Sequence, residues 1–308
     1  MTEVTGRYAP SPTGELHLGN LRTALVAWLI ARSDGGRFLL RIEDLDSQRS
    51  GEEWVAVQQR ELEALGLDWD GEPVHQSERL DLYAGSLDRL AEDGLLYECF
   101  CTRREVREAA SAPHRDPDLP VDAYPGTCRD LTAAQRERIR ESGRPAALRV
   151  RAAGSRVAFT DAIHGRCEFE LDDFVVRRND GDFAYNLAVT VDDADQAVTQ
   201  IVRAEDLLDS TARQIWLYRT LGLTEPTDWV HLPLMLGPDG ARLAKRHGSV
   251  TLEQVEAEGE TAEQVTGRLA ASLGLAPEGA ACLAPELLPG FSREALLAGS
   301  AAARESGS

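Results

Sequence analysis

Apolar and polar positions along the chain follow two periods in turn. Val4 to Ala9 reads as a short apolar strand, followed by a loop stiffened by Pro10 and Pro12. Leu18, Leu21, Leu25, Trp28 and Leu29 then recur at helical spacing. Phe38 to Ile42 is a second strand pattern, ending in the acidic turn Glu43-Asp44-Leu45-Asp46. Residues 52–65 are helical up to Gly66. A further helix follows Ser77, read as its N-cap, with Leu80, Tyr83, Leu87 and Leu90 on one face and Gly94 at its end. Strand, helix, strand, helix at this spacing predicts an α/β fold with a parallel sheet of βαβ units.

The pattern changes after Tyr97. Cys99 and Cys101 lead into a Pro- and Asp-rich stretch, Pro113 to Pro125, which its composition would leave loose unless something ties it down. From Ala147 to Val191 the segments look strand-like, with Phe174–Arg178 and Phe183–Val191 flanking the hairpin signal Asn179-Asp180-Gly181-Asp182. Gln200–Val202 reads as a strand and Thr211–Leu221 as a helix closed by Gly222. Trp229–Leu236 reads as a buried strand entering the turn Gly237-Pro238-Asp239-Gly240. A helix over Thr261–Leu273 follows, and the last dozen residues, rich in Ala, Ser and Gly, read as a frayed tail. The expected organisation is a first half of the core at 1–97, an insertion at 98–190, a second half at 191–240 and a short helical C-terminal segment at 241–308.

The 308 residues, 43% hydrophobic and 28% charged, are ordinary globular composition, and no apolar run approaches a membrane span. A cytoplasmic monomer with no membrane partner is the expectation. Five cysteines in a chain this long do not form a disulfide framework, and Cys99-x-Cys101 favours a metal. A net charge of −19 argues by itself against a nucleic-acid partner. The basic residues are concentrated, however: Arg103, Arg104 and Arg107, then Arg129, Arg136, Arg138, Arg140 and Arg144, then Arg149, Arg151 and Arg156. A local basic face for RNA therefore stays open against the plainer reading of a solvated mixed-charge surface.

His17 and Gly19 fall where the first strand gives way to a helix, a place where backbone N–H groups and the helix dipole favour a phosphate. Far downstream, Arg242-Leu243-Ala244-Lys245-Arg246 puts a basic cluster after a turn. The string Arg7-Tyr8-Ala9-Pro10-Ser11-Pro12-Thr13-Gly14, with His17-Leu18-Gly19-Asn20, closely resembles the "HIGH" signature of class I aminoacyl-tRNA synthetases in their glutamyl/glutaminyl branch. The later cluster stands where that family carries its "KMSKS" loop, with Arg242 for the first lysine and Ala244 for the serine. The resemblance implies a Rossmann-type parallel sheet with an inserted zinc-binding α+β domain and a short C-terminal helical segment. It also implies ATP held by His17, Gly19, Asn20 and Lys245 together with Mg²⁺, with His17 and Lys245 catalytic through charge stabilisation.

Arg41-Ile42-Glu43-Asp44-Leu45-Asp46, Phe183-Ala184-Tyr185-Asn186-Leu187-Ala188 and Arg203-Ala204-Glu205-Asp206-Leu207-Leu208-Asp209-Ser210-Thr211 extend the resemblance. A glutamate substrate carries two carboxylates and an ammonium, so its pocket needs fixed cations and an anion. Guanidinium forks match carboxylates, which makes Arg7 and Arg203 candidates, with Glu43 for the ammonium. The family adds Ala9, Ser11 and Tyr185 to the glutamate-binding set, and Asn186 and Asp206 to its neighbourhood.

Cys99, Cys101 and Cys128 offer three thiolates for one structural Zn²⁺, and His114 or Tyr124 could be the fourth ligand. Tyr124-Pro125-Gly126-Thr127-Cys128 resembles the zinc half-site of the truncated glutamyl-queuosine tRNA(Asp) synthetase branch, which implies Tyr124. Only 62 residues follow Arg246, too few for a helical anticodon-binding region. In this the chain resembles the same truncated branch, which implies as partner the tRNA(Asp) anticodon stem-loop carrying queuosine, alongside ATP and L-glutamate. A minimal glutamyl-tRNA synthetase and a catalytically silent RNA-binding paralogue are the alternatives.

Overall fold

The computed structural model describes residues 3–110, 123–235 and 250–306. Its parallel layer opens with β1 (Thr5–Tyr8), α1 (Leu18–Ser33), β2 (Arg37–Ile42), α2 (Glu52–Ala64), β3 (Val74–His75) and α3 (Leu80–Glu92). β1 pairs β2 and β2 pairs β3, all parallel. α1 is buried around its whole circumference from Ala24 to Ala31, so it is a central helix and not an amphipathic cover. The helix expected to start after Ser77 starts at Leu80 instead. Ser77 is taken by Asp44, which accepts from its backbone N–H at 2.8 Å and its hydroxyl at 2.7 Å.

Then come β4 (Leu96–Cys99), α4 (Arg103–Ala110), α5 (Ala133–Glu141), β5 (Ala147–Val150), β6 (Arg156–Asp161), β7 (Gly165–Glu170) and β8 (Val175–Arg177). β5 lies antiparallel between β4 and β8, and β6 and β7 form an antiparallel hairpin. Along β6 the burial alternates strictly, which seats one face of the hairpin on the molecule.

The chain returns to the parallel layer through α6 (Tyr185–Asp195), β9 (Gln200–Ala204), α7 (Leu208–Leu221) and β10 (Asp228–Leu232). β9 and β10 are parallel, and the Thr199 N–H bonds to Thr5 O at 2.9 Å, setting β9 beside β1. Gly222, at φ 63°, closes α7 in the left-handed conformation that glycine adopts without strain.

Of Phe183–Val191, expected as a strand, only Phe183 is bridged to Arg177 in strand fashion, and Tyr185 onward is the start of α6. A continuous apolar run does not distinguish a buried strand from a buried helix, and here Leu187 to Asp193 are buried on every side. A helix satisfies its backbone bonds internally at such a position. The turn at 179–182 does form, with Arg178 N–H bonded to Asp182 O at 2.7 Å and Ala184 N–H to Val176 O at 3.0 Å, but the second arm turns helical from Tyr185. The C-terminal tail is helical too, from Arg293 to Ser306. Its alanines are strong helix formers, Leu296 is fully buried, and Arg293 reaches Asp228 at 2.6 Å.

Two large cores result. One surrounds α1 and includes Val202, Val230 and the C-terminal Leu252, Leu269 and Leu296. The other joins α3, α6 and α7 to Val157 and Phe159 of β6, so the insertion shares a core with the second half of the sheet. Among the described residues no helix is long and apolar enough to cross a membrane.

Candidate functional site

A cavity of about 660 Å³ opens at the C-terminal ends of β1 and β9, over the start of α1. Arg7, Ala9, Ser11, His17, Gly19, Asn20, Glu43, Tyr185 and Arg203 all line it, as does Asp206. Asn186 does not. It accepts from Gln214 Nε2 of α7 at 3.3 Å. Lys245, Arg242, Ala244, Arg246 and the turn at 237–240 lie outside the described residues. Met235 and Val250, the described residues nearest them on either side, both line the cavity.

One end of the cavity is built from the start of α1. His17 is the N-cap, its Nδ1 accepting the Asn20 N–H at 3.1 Å, while the Asn20 side chain accepts the His17 N–H at 3.3 Å. An accepting Nδ1 puts the proton of the neutral ring on Nε2. Burial lowers the His17 pKa, partly opposed by Asp206, so the ring offers a neutral N–H donor. Gly19 leaves room for the ring: a Cβ there would stand 3.0 Å from the imidazole, which would have to shift by a few tenths of an ångström. The Leu18 N–H is already bonded to Val250 O at 3.0 Å, so not every N–H of the first turn is left for a phosphate. The loop before the helix is pinned by α2. Gln58 donates to Ser11 O and Gly14 O at 3.0 and 2.7 Å, and Glu61 accepts the Leu16 N–H at 2.9 Å.

The other end is lined by charge. Arg7, 5% exposed, donates to Asp193 through Nε and Nη2 at 3.1 and 3.5 Å. Fully buried Arg41 donates to the same carboxylate at 2.6 Å and lies 3.6 Å from Glu43. Burial works against the Asp193 carboxylate, but Arg41 and Arg7 outweigh it and hold its pKa below the usual range. Asp192 beside it accepts from Gln76, Arg79 and Tyr83 at 2.7–3.0 Å. Burial pushes Glu43 up to about 7, only partly countered by Arg41 and Arg7.

Arg203 differs from Arg7. It is 4% exposed, and its partners are neutral: His231 Nε2 at 3.0 Å, the Thr211 hydroxyl at 2.6 Å and the Tyr185 hydroxyl at 3.4 Å. A buried guanidinium held by neutral groups at a cavity wall retains its full charge for an anion. Tyr185, 38% exposed, faces the cavity next to it. Arg41 and Thr211 stand within the motifs that carry the resemblance but had no role of their own there; Asp193, His231, Gln58 and Glu61 were missed, because their roles depend on contacts between distant segments and not on local pattern.

Away from the cavity, Cys99, Cys101 and Cys128 bring their sulfurs within 4.8 Å of one another. The Tyr124 hydroxyl accepts from the Cys99 thiol at 3.4 Å and from the Cys128 N–H at 2.7 Å. His114 lies outside the described residues. Three thiols and a phenol at this spacing suit a soft divalent cation, since three thiolates alone would repel one another. Cys167 and Cys282 lie outside the cluster.

The arginines of the insertion give less of a basic face than their number promised. Arg104 pairs with Glu108, Arg140 with Glu98, Arg144 with Glu105 and Arg156 with Glu170, at 2.5–3.1 Å. Arg129 lies 3.4 Å from Asp173, and Arg149 stacks over the Tyr124 ring at 3.7 Å.

Comparison with known proteins gives consistent matches. The model of the family "tRNA synthetases class I (E and Q), catalytic domain" matches residues 3–286. A "Glutamyl-Q tRNA(Asp) synthetase" of Nocardia farcinica is 56% identical over 275 residues, 88% of this chain and 85% of the relative. A "Glutamate--tRNA ligase" of Oleidesulfovibrio alaskensis is 46% identical over 81% of this chain, which spans 52% of the ligase. The crystal structure of a glutamate tRNA ligase from Elizabethkingia meningosepticum, in complex with its amino acid, superposes with a TM-score of 0.77 at 28% identity. That match covers 96% of this chain and 65% of the crystallised one.

Proposed function

The chain belongs to the class I tRNA synthetases for glutamate and glutamine, an α/β family of ATP-dependent ligases, and from that premise we propose that it activates L-glutamate and passes it to tRNA(Asp). The observation that carries the amino-acid assignment is Arg203, a buried cation with neutral partners, facing Glu43 across the same cavity. Arg203 takes one glutamate carboxylate. Arg7, half neutralised by Asp193, adds positive potential beside it. Glu43 receives the ammonium, and Tyr185 adds a neutral hydrogen bond.

In the first step an α-carboxylate oxygen of glutamate attacks the α-phosphorus of ATP. The bond to pyrophosphate breaks, and pyrophosphate leaves with the electron pair. His17 donates through Nε2–H to phosphate oxygen, Gly19 and Asn20 shape the helix start, and Lys245 neutralises the leaving group. Mg²⁺ bound with ATP would supply further charge neutralisation. In the second step an RNA nucleophile attacks the activated carbonyl carbon and AMP leaves. Positioning and charge stabilisation account for the chemistry, with no covalent enzyme intermediate.

The RNA assignment, the queuosine base of the tRNA(Asp) anticodon, is supported by the naming of relatives that match this chain over most of both lengths. The 46% identity to a glutamate–tRNA ligase supports a second reading, charging of a tRNA 3′ end. A Zn²⁺ held by Cys99, Cys101, Tyr124 and Cys128 would tie the insertion together. Glutamate-dependent ATP–pyrophosphate exchange, measured with protein alone, tests the first step. Exchange is expected without RNA; exchange that appears only after tRNA is added would contradict that part of the reading.

A further inference from the structure

The parallel register of β9 and β10 places His231 directly beside Arg203. Arg203 Nε can only donate, and it meets His231 Nε2 at 3.0 Å. His231 Nε2 is therefore an acceptor, and the ring proton sits on Nδ1. There it donates to Asp161 Oδ2 at 2.7 Å. The other oxygen of Asp161 accepts the backbone N–H groups of Ile163 and His164, both at 2.9 Å, which fixes the carboxylate. Thr211 completes the cradle, 2.6 Å from Arg203 Nη2 and 2.9 Å from His231 Nε2. His231 and Thr211 are fully buried, and Asp161 is nearly so.

We propose that Asp161 and His231 are positioning residues for Arg203, fixing the imidazole tautomer so that the guanidinium is held in one orientation toward the substrate carboxylate. The inference rests on the glutamate-activation reading. It also gives the insertion a part in amino-acid recognition, because Asp161 ends β6 and its hairpin is bonded to β10 through Ala162 N–H to Trp229 O at 2.8 Å. The ring stays neutral: burial lowers the His231 pKa to about 4, outweighing the pull of Asp161. A protonated His231 would point an N–H at the Arg203 Nε–H, and so would the opposite tautomer.

Asp161→Asn is the decisive variant. With Oδ1 still accepting the two backbone N–H groups, the amide would present its NH₂ to His231 Nδ1. That favours the Nε2–H tautomer, which opposes Arg203 Nε–H. His231→Ala removes the acceptor outright, whereas His231→Gln can place a carbonyl oxygen near the old Nε2 position. In ATP–pyrophosphate exchange, Asp161→Asn and His231→Ala should each raise KM for glutamate on the order of 10²-fold, the scale of a misplaced binding group, with KM for ATP little changed. His231→Gln should recover part of the loss. Nitrogen-15 NMR of the imidazole should show Nδ1–H in the wild type and a shift toward Nε2–H in Asp161→Asn. An Nε2–H tautomer in the wild type, or an unchanged KM for glutamate in folded His231→Ala, would overturn the inference while leaving glutamate activation intact. Absence of glutamate-dependent exchange in the wild type would overturn the activation reading, and this inference with it.

Discussion

The arginine-lined end of the cavity and the insertion carry similar chemistry in opposite settings. Around the cavity, Arg7, Arg41 and Arg203 are almost fully buried, Arg7 held by two bonds to Asp193 and the other two each by several partners. In the insertion, Arg104, Arg140, Arg144 and Arg156 stand in solvent and meet carboxylates a short distance away. A charge in the first setting is desolvated, so each contact it makes is energetically large. In the second setting water screens the pair, and it contributes little. Counting arginines therefore misjudges the insertion, where the carboxylates that cancel them are just as numerous locally. One buried arginine with neutral partners says more about function than a row of exposed ones.

The largest effect expected from breaking this contrast is at Arg203. Arg203→Ala should cost about 2–5 kcal/mol in kcat/KM for glutamate, because the substrate carboxylate would be left buried and unpaired. Arg203→Lys should not restore it fully, since an ammonium cannot reproduce the fork that spans His231 and Thr211. Wild-type exchange kinetics in the lysine variant would remove Arg203 from the recognition site.

Lys245→Ala should lower activation about 10²–10³-fold, the usual size for losing one donor that stabilises developing charge, with little change in glutamate affinity. Steady-state exchange of Lys245→Ala beside Arg242→Ala and Arg246→Ala checks this. Equal losses in all three would mean that Lys245 holds no special place.

Glu43 sharpens the contrast through pH. Its carboxyl titrates at about 7 in the free protein, while the substrate ammonium is charged throughout this range and needs an ionised partner. Below pH 7 the free protein holds a proton that binding must expel. KM for glutamate should therefore rise as pH falls through 7, approaching tenfold per pH unit. Glu43→Gln should weaken binding and flatten this dependence. An unchanged slope would assign the titration to another group.

The cysteine cluster should govern metal content and leave glutamate activation nearly untouched. One equivalent of zinc per chain is expected by elemental analysis, and Cys99→Ser should release it, with only a small effect on exchange without RNA. If Tyr124→Phe retains the metal and His114→Ala loses it, the fourth ligand is His114.

Much of this site is legible in the chain itself. The loop from Arg7 to Asn20 and the strand ends at Glu43 and Arg203 are each local patterns, and their positions follow from strand–helix order. What cannot be read is anything depending on who meets whom. Asp161 and His231 are unremarkable in sequence, 70 residues apart, and become a unit only because a hairpin lands on β10. α6 defeats the reading of pattern for a related reason. Its apolar run fits either secondary structure, and burial on all sides, with Asp192 and Asp193 anchored by arginines, decides for the helix. Composition makes the tail look frayed, yet Leu296 anchors it to the α1 core.

The central claim, glutamate activation directed to a modified tRNA(Asp) anticodon, meets its most direct test in one transfer assay. Radiolabelled glutamate and ATP would be incubated with the protein and three RNAs: a tRNA(Asp) anticodon stem-loop with queuosine, the same loop with guanosine, and intact tRNA(Glu). Label is expected on the queuosine loop alone, with yield falling steeply as salt rises, as for any contact made through phosphates. Label on the 3′ end of tRNA(Glu), with none on the queuosine loop, would contradict the assignment and make the chain a minimal glutamyl-tRNA synthetase.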